Sequence, residues 1–324
     1  MNVHVRTVVA TKIRVSFTVN CHMTISQAQE QLLSQLYRLY DNHEAANIAD
    51  WVLEYVSGLK KVDRITNKKV VLPEEKKRLL GQLTDQLLTN KPVQYVLNEA
   101  WFCGMKFYVD EHVLIPRPET EELVEWVVSD LRREAGGRNE KTERGGLKPL
   151  TKREINILDI GTGSGCIPIA LKKKLPFANV NGCDISEKAL EIAEKNGVAL
   201  NAPIQLFQID FLDPDKRSEL PFFDIIVSNP PYIPEREKGT LAKRVLDFEP
   251  SASLFVENND PVVFYRAIAD FGKNQLNPGG AVYVEINEEH AQGVREVFLS
   301  NGFSVMEIRQ DMQGKERMVK ASFS

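Results

Sequence analysis

The sequence predicts an α/β fold: a mostly parallel, seven-stranded sheet with helices on both faces, preceded by a small helical domain and a β-hairpin. Three observations carry that expectation. From about residue 155, β-branched apolar runs alternate with helical stretches, the pattern of parallel strands joined by crossover helices. The first of those strands runs into the glycine-rich turn Gly161-Thr162-Gly163-Ser164-Gly165. Residues 24–90, by contrast, carry helical periodicity and no strand pattern. A chain of 324 residues holds enough material for two such domains.

Taken in order, residues 1–22 stand apart, with Arg6, Lys12 and Arg14 and no acidic residue. One reading is a transit peptide, which would make the protein mitochondrial. However, Val3, Val5, Val8, Val9, Ile13 and Val15 form no convincing amphipathic helix. The favoured reading is an extension outside the fold, with Met23 as the working start and a cytoplasmic protein behind it. Ser26 and Gln29 have capping-box spacing, and Leu32, Leu36 and Leu39 follow at helical intervals. Ala45, Ile48, Ala49, Val52, Leu53 and Val56 form a second stripe. Pro73 suits a first helical turn ahead of Leu79, Leu80, Leu83 and Leu87. Aromatic and β-branched residues around Gly104 read as a hairpin. A helix is expected over 119–133, and a charged, glycine-bearing loop over 134–154. Strands then fall at 155–160, 179–184, 204–209, 223–228, 281–286, 303–309 and 316–323. Helices fall at 166–175, 187–200, 261–275 and 288–300, with Asp260-Pro261 as a cap and first residue. The last two strands have no helix between them and predict an antiparallel edge.

Composition excludes several classes of function. The 41 basic and 45 acidic side chains leave a formal charge of −4, unlike a protein that coats nucleic acid by bulk electrostatics. No run approaches the roughly 20 apolar residues of a membrane span, so no membrane partner is expected. Cys21, Cys103, Cys166 and Cys183 form no CxxC pair and no Cys/His cluster. That argues against a disulfide scaffold and a structural metal. His43, His112 and His290 stand alone, so no metal is expected. Cys103, Cys166 and Cys183, with no histidine in a recognisable pairing, read as packing residues.

The glycine turn lets the backbone bend sharply and approach a ligand closely, at a helix start that favours an anionic group. Cys166 stands where GxGxxG would have its third glycine, which weakens a dinucleotide reading and suits a smaller nucleoside carrying an amino-acid carboxylate. Asp184, ending the next strand, can accept from both ribose hydroxyls, or cap the helix that starts near Ser186. Asp210 and Phe211 end the third strand. The carboxylate can accept from an adenine amino group and the ring or backbone can line the base; a loop carboxylate beside a packed aromatic fits nearly as well.

The fourth strand delivers Asn229-Pro230-Pro231-Tyr232 at its carboxyl end, where open α/β sheets bind ligands. The prolines hold the backbone extended. The Asn229 side-chain oxygen and the Pro230 carbonyl can then accept both hydrogens of a planar –NH2 group, with Tyr232 as a flat wall. Such a clamp orients a weakly nucleophilic, conjugated nitrogen toward an electrophile.

The glycine turn together with Asn229-Pro230-Pro231-Tyr232 resembles a class I, Rossmann-like methyltransferase that uses S-adenosylmethionine on an amide or exocyclic amino nitrogen. Pro92-Val93-Gln94-Tyr95, Leu114-Ile115-Pro116-Arg117-Pro118-Glu119-Thr120-Glu121 and Gly314-Lys315-Glu316-Arg317 narrow it. With them, residues 24–324 resemble the HemK family of protein-glutamine N5-methyltransferases, which modify the GGQ glutamine of class I peptide chain release factors. The resemblance implies a substrate clamp at Asn229–Tyr232 and cofactor contacts at Gly161–Gly165, Asp184 and Phe211, with Asp210 and Asn229 also expected to touch the cofactor. It divides the chain into an extension, 1–22, a helical substrate-recognition domain plus hairpin, 23–112, and a catalytic domain, 113–324. Ser251–Asp260 departs from the small-residue, Gly-Gly-Asp-Gly-like stretch usual in that family. Arg117 and Glu119 read as seating the domain junction or touching substrate.

A DNA adenine methyltransferase poses the same geometric problem, but residues 23–112 carry 11 basic against 12 acidic side chains, unlike a DNA-reading domain. A ribosomal-protein glutamine methyltransferase shares the active-site motifs. Lys60–Arg78, with eight basic and three acidic residues, reads as a solvated face or a surface that greets a release factor or RNA.

Overall fold

The computed structural model describes residues 22–137 and 154–324; the expectations for the N-terminal extension and for residues 138–153 lie outside them. Two compact units divide at Leu97 and Asn98. The expected boundary at 112/113 therefore moves, and the hairpin passes to the second unit. Phe102 and Phe107, on its inward face, are buried in the same core as Val124, Ile157 and Val227.

The first unit is helical: α1 (Ile25–Leu36), α2 (Asn42–Ser57), α3 (Lys61–Thr66), α4 (Glu74–Leu87) and α5 (Val93–Leu97). The capping box lies two residues earlier than the spacing of Ser26 and Gln29 suggests. The Thr24 hydroxyl accepts from Gln27 N, and Gln27 Oε1 accepts from Thr24 N at 2.9 Å. Ile25, Leu32 and Leu36 are thereby turned onto Ile48, Val52, Leu80 and Leu87 in one core. Pro73 caps α4 and does not enter it. The basic stretch is not uniformly a free face. Arg64 is buried and binds Asp50 and the Leu59 carbonyl, Lys61 also reaches Asp50, and Lys76 caps the Ser57 carbonyl.

The second unit opens with the antiparallel hairpin β1 (Ala100–Phe102) and β2 (Met105–Phe107), then α6 (Pro118–Gly137). The glycine turn links β3 (Asn156–Ile160) to α7 (Cys166–Lys174). Next come β4 (Asn179–Asp184), α8 (Glu187–Ala199), β5 (Gln205–Gln208), α9 (Pro214–Ser218) and β6 (Phe223–Ser228). After β6 lie the short elements β7 (Ile233–Pro234), α10 (Lys243–Phe248) and β8 (Phe255–Val256). The unit closes with α11 (Val263–Gln275), β9 (Leu276–Glu285), α12 (Ala291–Ser300), β10 (Val305–Gln310) and β11 (Glu316–Ser322).

The seven expected strands form one sheet in the order β10-β11-β9-β6-β3-β4-β5. The strands β3, β4, β5, β6 and β9 run parallel; β11 is antiparallel to both β9 and β10. Side chains alternate across it, as a pleated strand requires. Ile157 and Ile225 enter the core shared with α6 and α7, while Leu158 and Ile226 enter that shared with α11 and α12.

Two expectations change. The strand expected at 281–286 begins at Leu276, and its register against β6 shifts between Phe223 and Ile225. A bulge absorbs Asn277–Gly280, and a Cβ at Gly280 would lie 2.7 Å from the Asp224 carbonyl oxygen, so only glycine fits. The helix expected from Pro261 starts at Val263 without a side-chain cap; the Asp260 carboxylate binds Arg266 instead.

Candidate active site

The carboxyl ends of β3, β4, β6 and β9 converge on one edge of the sheet, where open α/β folds bind ligands. Ser228 Oγ donates to the Ile160 carbonyl at 2.7 Å, pinning the end of β6 beside the start of the glycine turn. Within the turn, Gly161, Gly163 and Gly165 have φ of 74°, 52° and 78°. Cβ atoms at Gly161 and Gly163 would point into open space, whereas one at Gly165 would lie 3.0 Å from Ala193 Cβ. The first two glycines therefore leave backbone open to a ligand, and the third lets α7 and α8 pack closely.

Beneath the turn lies a group of buried polar atoms. Asp159 Oδ1 and Oδ2, Thr162 Oγ1 and Ser164 Oγ are buried without a well-formed hydrogen bond, although the Thr162 hydroxyl lies near the Asp159 carboxyl and the Ser164 hydroxyl near Cys166. Burial pushes the Asp159 carboxyl up to about 7, with the nearby Thr162 hydroxyl opposing. Buried polar atoms are nearly always partnered in a folded protein, so such a group points to a cationic or hydrogen-bonding ligand. Asp159 was visible in the sequence as a charge interrupting Ile157-Leu158-Asp159-Ile160, but carried no assigned role.

Asp184 does not cap α8, whose N-cap is Ser186 with its own hydroxyl accepting from Ala189 N. Asp184 Oδ2 accepts from Gly163 N and its Oδ1 from Ser186 N, each at 2.9 Å, tying the glycine turn to the start of α8. Its remaining lone pairs stay available to hydroxyl donors. Asp210 closes a local turn by accepting from Leu212 N at 3.0 Å. The Phe211 ring packs edge-on against Phe271 at 5.3 Å in the core, so it does not line a base; only the backbone of this residue can.

Asn229, Pro230, Pro231 and Tyr232 line a cavity of about 190 Å³, together with Leu114, Arg117, Leu254 and Glu285. Burial beside Glu285 raises the Tyr232 phenol, which stays neutral as an apolar wall. The divergent loop after Pro250 forms one side of this cavity. Leu254 accepts from Ile233 N at 3.1 Å, and β8 pairs in parallel with β7. Arg117 Nη2 lies 2.7 Å from both oxygens of buried Glu249, fixing the segment before α6 to that loop.

Two further residues carry roles that the sequence reading did not assign: Thr120, named there only within the segment that narrows the family, and Glu285, not named at all. Asn229 Nδ2 donates to Thr120 Oγ1 at 3.0 Å, and Thr120 Oγ1 donates to Glu285 Oε2 at 2.6 Å. Burial pushes Glu285 up to about 7, opposed by the Thr120 hydrogen bond and by Arg317. Cys103 and Cys166 are pushed up to about 12 by burial, and buried Cys183 is also raised, so none of the three is a ready nucleophile. A larger cavity, about 410 Å³, opens at the opposite, amino-terminal end of β3 and β4, lined by Asn156, Asn179 and Gln205.

Residues 27–97 match the PrmC N-terminal domain model and residues 147–252 the methyltransferase small domain model. Two release factor glutamine methyltransferases cover nearly the whole chain. That of Flavobacterium psychrophilum is 37% identical over 301 residues, spanning 93% of this chain and 100% of its own. That of Bacteroides thetaiotaomicron is 38% identical over 287 residues, covering 89% and 96%. The chain belongs to the release factor glutamine methyltransferase family. Among solved structures, the catalytic domain of hMettl16, in complex with the MAT2A 3'UTR hairpin 6, matches 78% of this chain and 82% of its own with a TM-score of 0.50. At 14% identity that likeness shows the Rossmann-like methyltransferase fold.

Release factor glutamine methyltransferases use S-adenosylmethionine, and the residues at the glycine turn fit it. Asp159, with two buried oxygens that lack a well-formed hydrogen bond, suits an amino group; the open backbone at Gly161 and Gly163 suits close approach of the amino-acid portion.

Proposed function

We propose that this enzyme transfers a methyl group from S-adenosylmethionine to the side-chain amide nitrogen, N5, of the glutamine in the GGQ tripeptide of class I peptide chain release factors. The observation that carries the reading is the cavity at the end of β6, where Asn229, Pro230, Pro231 and Tyr232 stand together. Its volume of about 190 Å³ is small for a site that encloses a whole ligand and suits an inserted side chain.

Bound S-adenosylmethionine supplies a methyl carbon already activated by its positive sulfonium sulfur. Gly161–Gly165, Asp159 and Asp184 hold that cofactor, with Thr162, Ser164 and the backbone around Asp210 and Phe211 completing its site. At the acceptor side, Asn229 Oδ1 and the Pro230 carbonyl accept the two amide hydrogens of the substrate glutamine. This holds the carboxamide flat and presents the face of its nitrogen for in-line attack. Pro231 keeps the clamp extended and Tyr232 packs the carboxamide plane. The chain's contribution is therefore position; no side chain is assigned as a strong base, because an amide nitrogen loses its proton readily once alkylated. The helical unit is assigned to recognition of the release factor, which makes the partner a protein.

The test supplies labelled S-adenosylmethionine with a release factor, its GGQ glutamine-to-alanine variant, ribosomal protein and DNA. Label is expected in the unaltered release factor alone. Equal label in the variant factor, or label in DNA or ribosomal protein instead, overturns the assignment.

A further inference from the structure

The acceptor clamp depends on which end of the Asn229 carboxamide faces the cavity. Asn229 sits just past β6, Thr120 in the first turn of α6 and Glu285 at the end of β9, so three separate elements meet in one chain of hydrogen bonds. Thr120 and Glu285 are 2% and 3% exposed, which leaves little room for water to substitute. A hydroxyl has one proton to give. Thr120 gives its proton to Glu285, at 2.6 Å, and so offers Asn229 only lone pairs. Asn229 must then turn its NH2 toward Thr120 and its oxygen away from it.

Were Glu285 protonated, the polarity of the chain could reverse. The carboxylic acid would donate to Thr120, the hydroxyl would donate to Asn229, and the carboxamide would flip to bring its NH2 to the cavity. An NH2 there faces another NH2 on the substrate and cannot accept from it. Resting on the methyl-transfer reading above, we propose that Thr120 and ionised Glu285 are positioning residues that fix the polarity of Asn229, so that an acceptor and not a donor meets the substrate amide.

The charged and titratable groups around Glu285 come from every neighbouring element. Arg117 and Glu119 approach from the start of α6, Arg317 from β11, Tyr232 from the segment after β6, and Tyr265 from α11, donating to the Glu285 backbone carbonyl at 2.9 Å. Arg317 is shared with Asp311 at 3.1 Å and Arg117 with Glu249, so neither arginine is dedicated to Glu285. Burial, aided by Glu119, pushes Glu285 up to about 7 against the Thr120 hydrogen bond and the two arginines, so a modest fall in pH removes the ionised form.

The experiment measures single-turnover methylation of a release factor from pH 6 to 9 at saturating cofactor, which removes any effect of Asp159 on cofactor binding. Wild type, Thr120→Val, Thr120→Ser and Glu285→Gln are compared. The wild-type rate is expected to rise as pH increases through about 7. Thr120→Val should lose about tenfold or more in rate with unchanged cofactor affinity, and Thr120→Ser should restore most of it. Glu285→Gln should be slower and lack the limb near 7, a change that a purely structural role would not produce. Equal rates for the valine and serine variants, or a limb that persists in Glu285→Gln, overturns the proposal. If a variant folds poorly, the side-chain amide signals of Asn229 in wild-type 15N spectra decide the matter. They should shift with a midpoint near 7, and a flat titration overturns the proposal as well. Failure of wild type to methylate the factor would instead overturn the methyl-transfer reading itself.

Discussion

The glycine turn and the Asn229 cavity lie along the same edge of the sheet, yet they settle their buried polar atoms in opposite ways. At the turn, Asp159, Thr162 and Ser164 hold buried oxygens without a well-formed hydrogen bond. In the cavity wall, Thr120 and Glu285 are just as buried but are linked to each other and to Asn229 at 2.6 and 3.0 Å. An unmet buried acceptor costs free energy until a ligand arrives, whereas a satisfied chain is rigid beforehand. The cofactor side is therefore finished by its ligand, and the acceptor side by the protein.

The sharpest way to break that contrast is at Asn229. Asn229→Ala should lower turnover by about 100-fold or more, because misplacing a reacting group is that costly, while cofactor affinity by calorimetry stays unchanged. An equal loss in both would mean the two halves are one site. The next test concerns Asp159, whose carboxyl is held near 7, above the ordinary carboxylate range. The folded state then keeps a proton that the unfolded state has released. Stability of the ligand-free protein from this group is full below about pH 4 and is lost as pH rises toward and through about 7. Asp159→Asn should thus stabilise the ligand-free protein by about 1–3 kcal/mol at pH 8 and by little at pH 4 in urea titrations, while weakening cofactor binding. Destabilisation at pH 8 would show that the carboxylate is not an unmet charge. The smallest effect is expected at Asp210, whose carboxylate already serves Leu212 N. Asp210→Ala should weaken cofactor binding by about tenfold or less, the value of one hydrogen bond, as read by calorimetry.

What the sequence made legible was whatever is local. Ile157-Leu158 and Ile225-Ile226 announce strands by composition, and Gly161–Gly165 and Asn229–Tyr232 carry their chemistry in consecutive residues. The support for that chemistry is not local. Thr120 and Glu285 are 165 residues apart, and no periodicity relates them. A signal existed all the same: Asp159 and Glu285 are carboxylates set in apolar strands near their carboxyl ends, where burial makes a charge expensive unless it has a use. The displaced caps have a different cause. Thr24 and Ser26 can each cap α1, and the choice falls to the tertiary packing of Ile25 and Leu36. The hairpin's allegiance was likewise decided by where Phe102 and Phe107 find a core.

The sheet order has a consequence for how the enzyme is made. The strand β11, the last in the chain, does not lie at the rim; it is threaded between β9 and β10. Until Glu316–Ser322 has left the ribosome, the outer edge of β9 has no strand to pair with, and Arg317 is missing from the surroundings of Glu285. Pairings so distant in sequence form slowly and late. The acceptor side, assigned above as ready before its ligand, thus waits on a strand that follows the rest of its sheet in sequence, so a chain stalled short of β11 would hold the glycine turn and the Thr120–Glu285 pair without the Arg317 charge beside them.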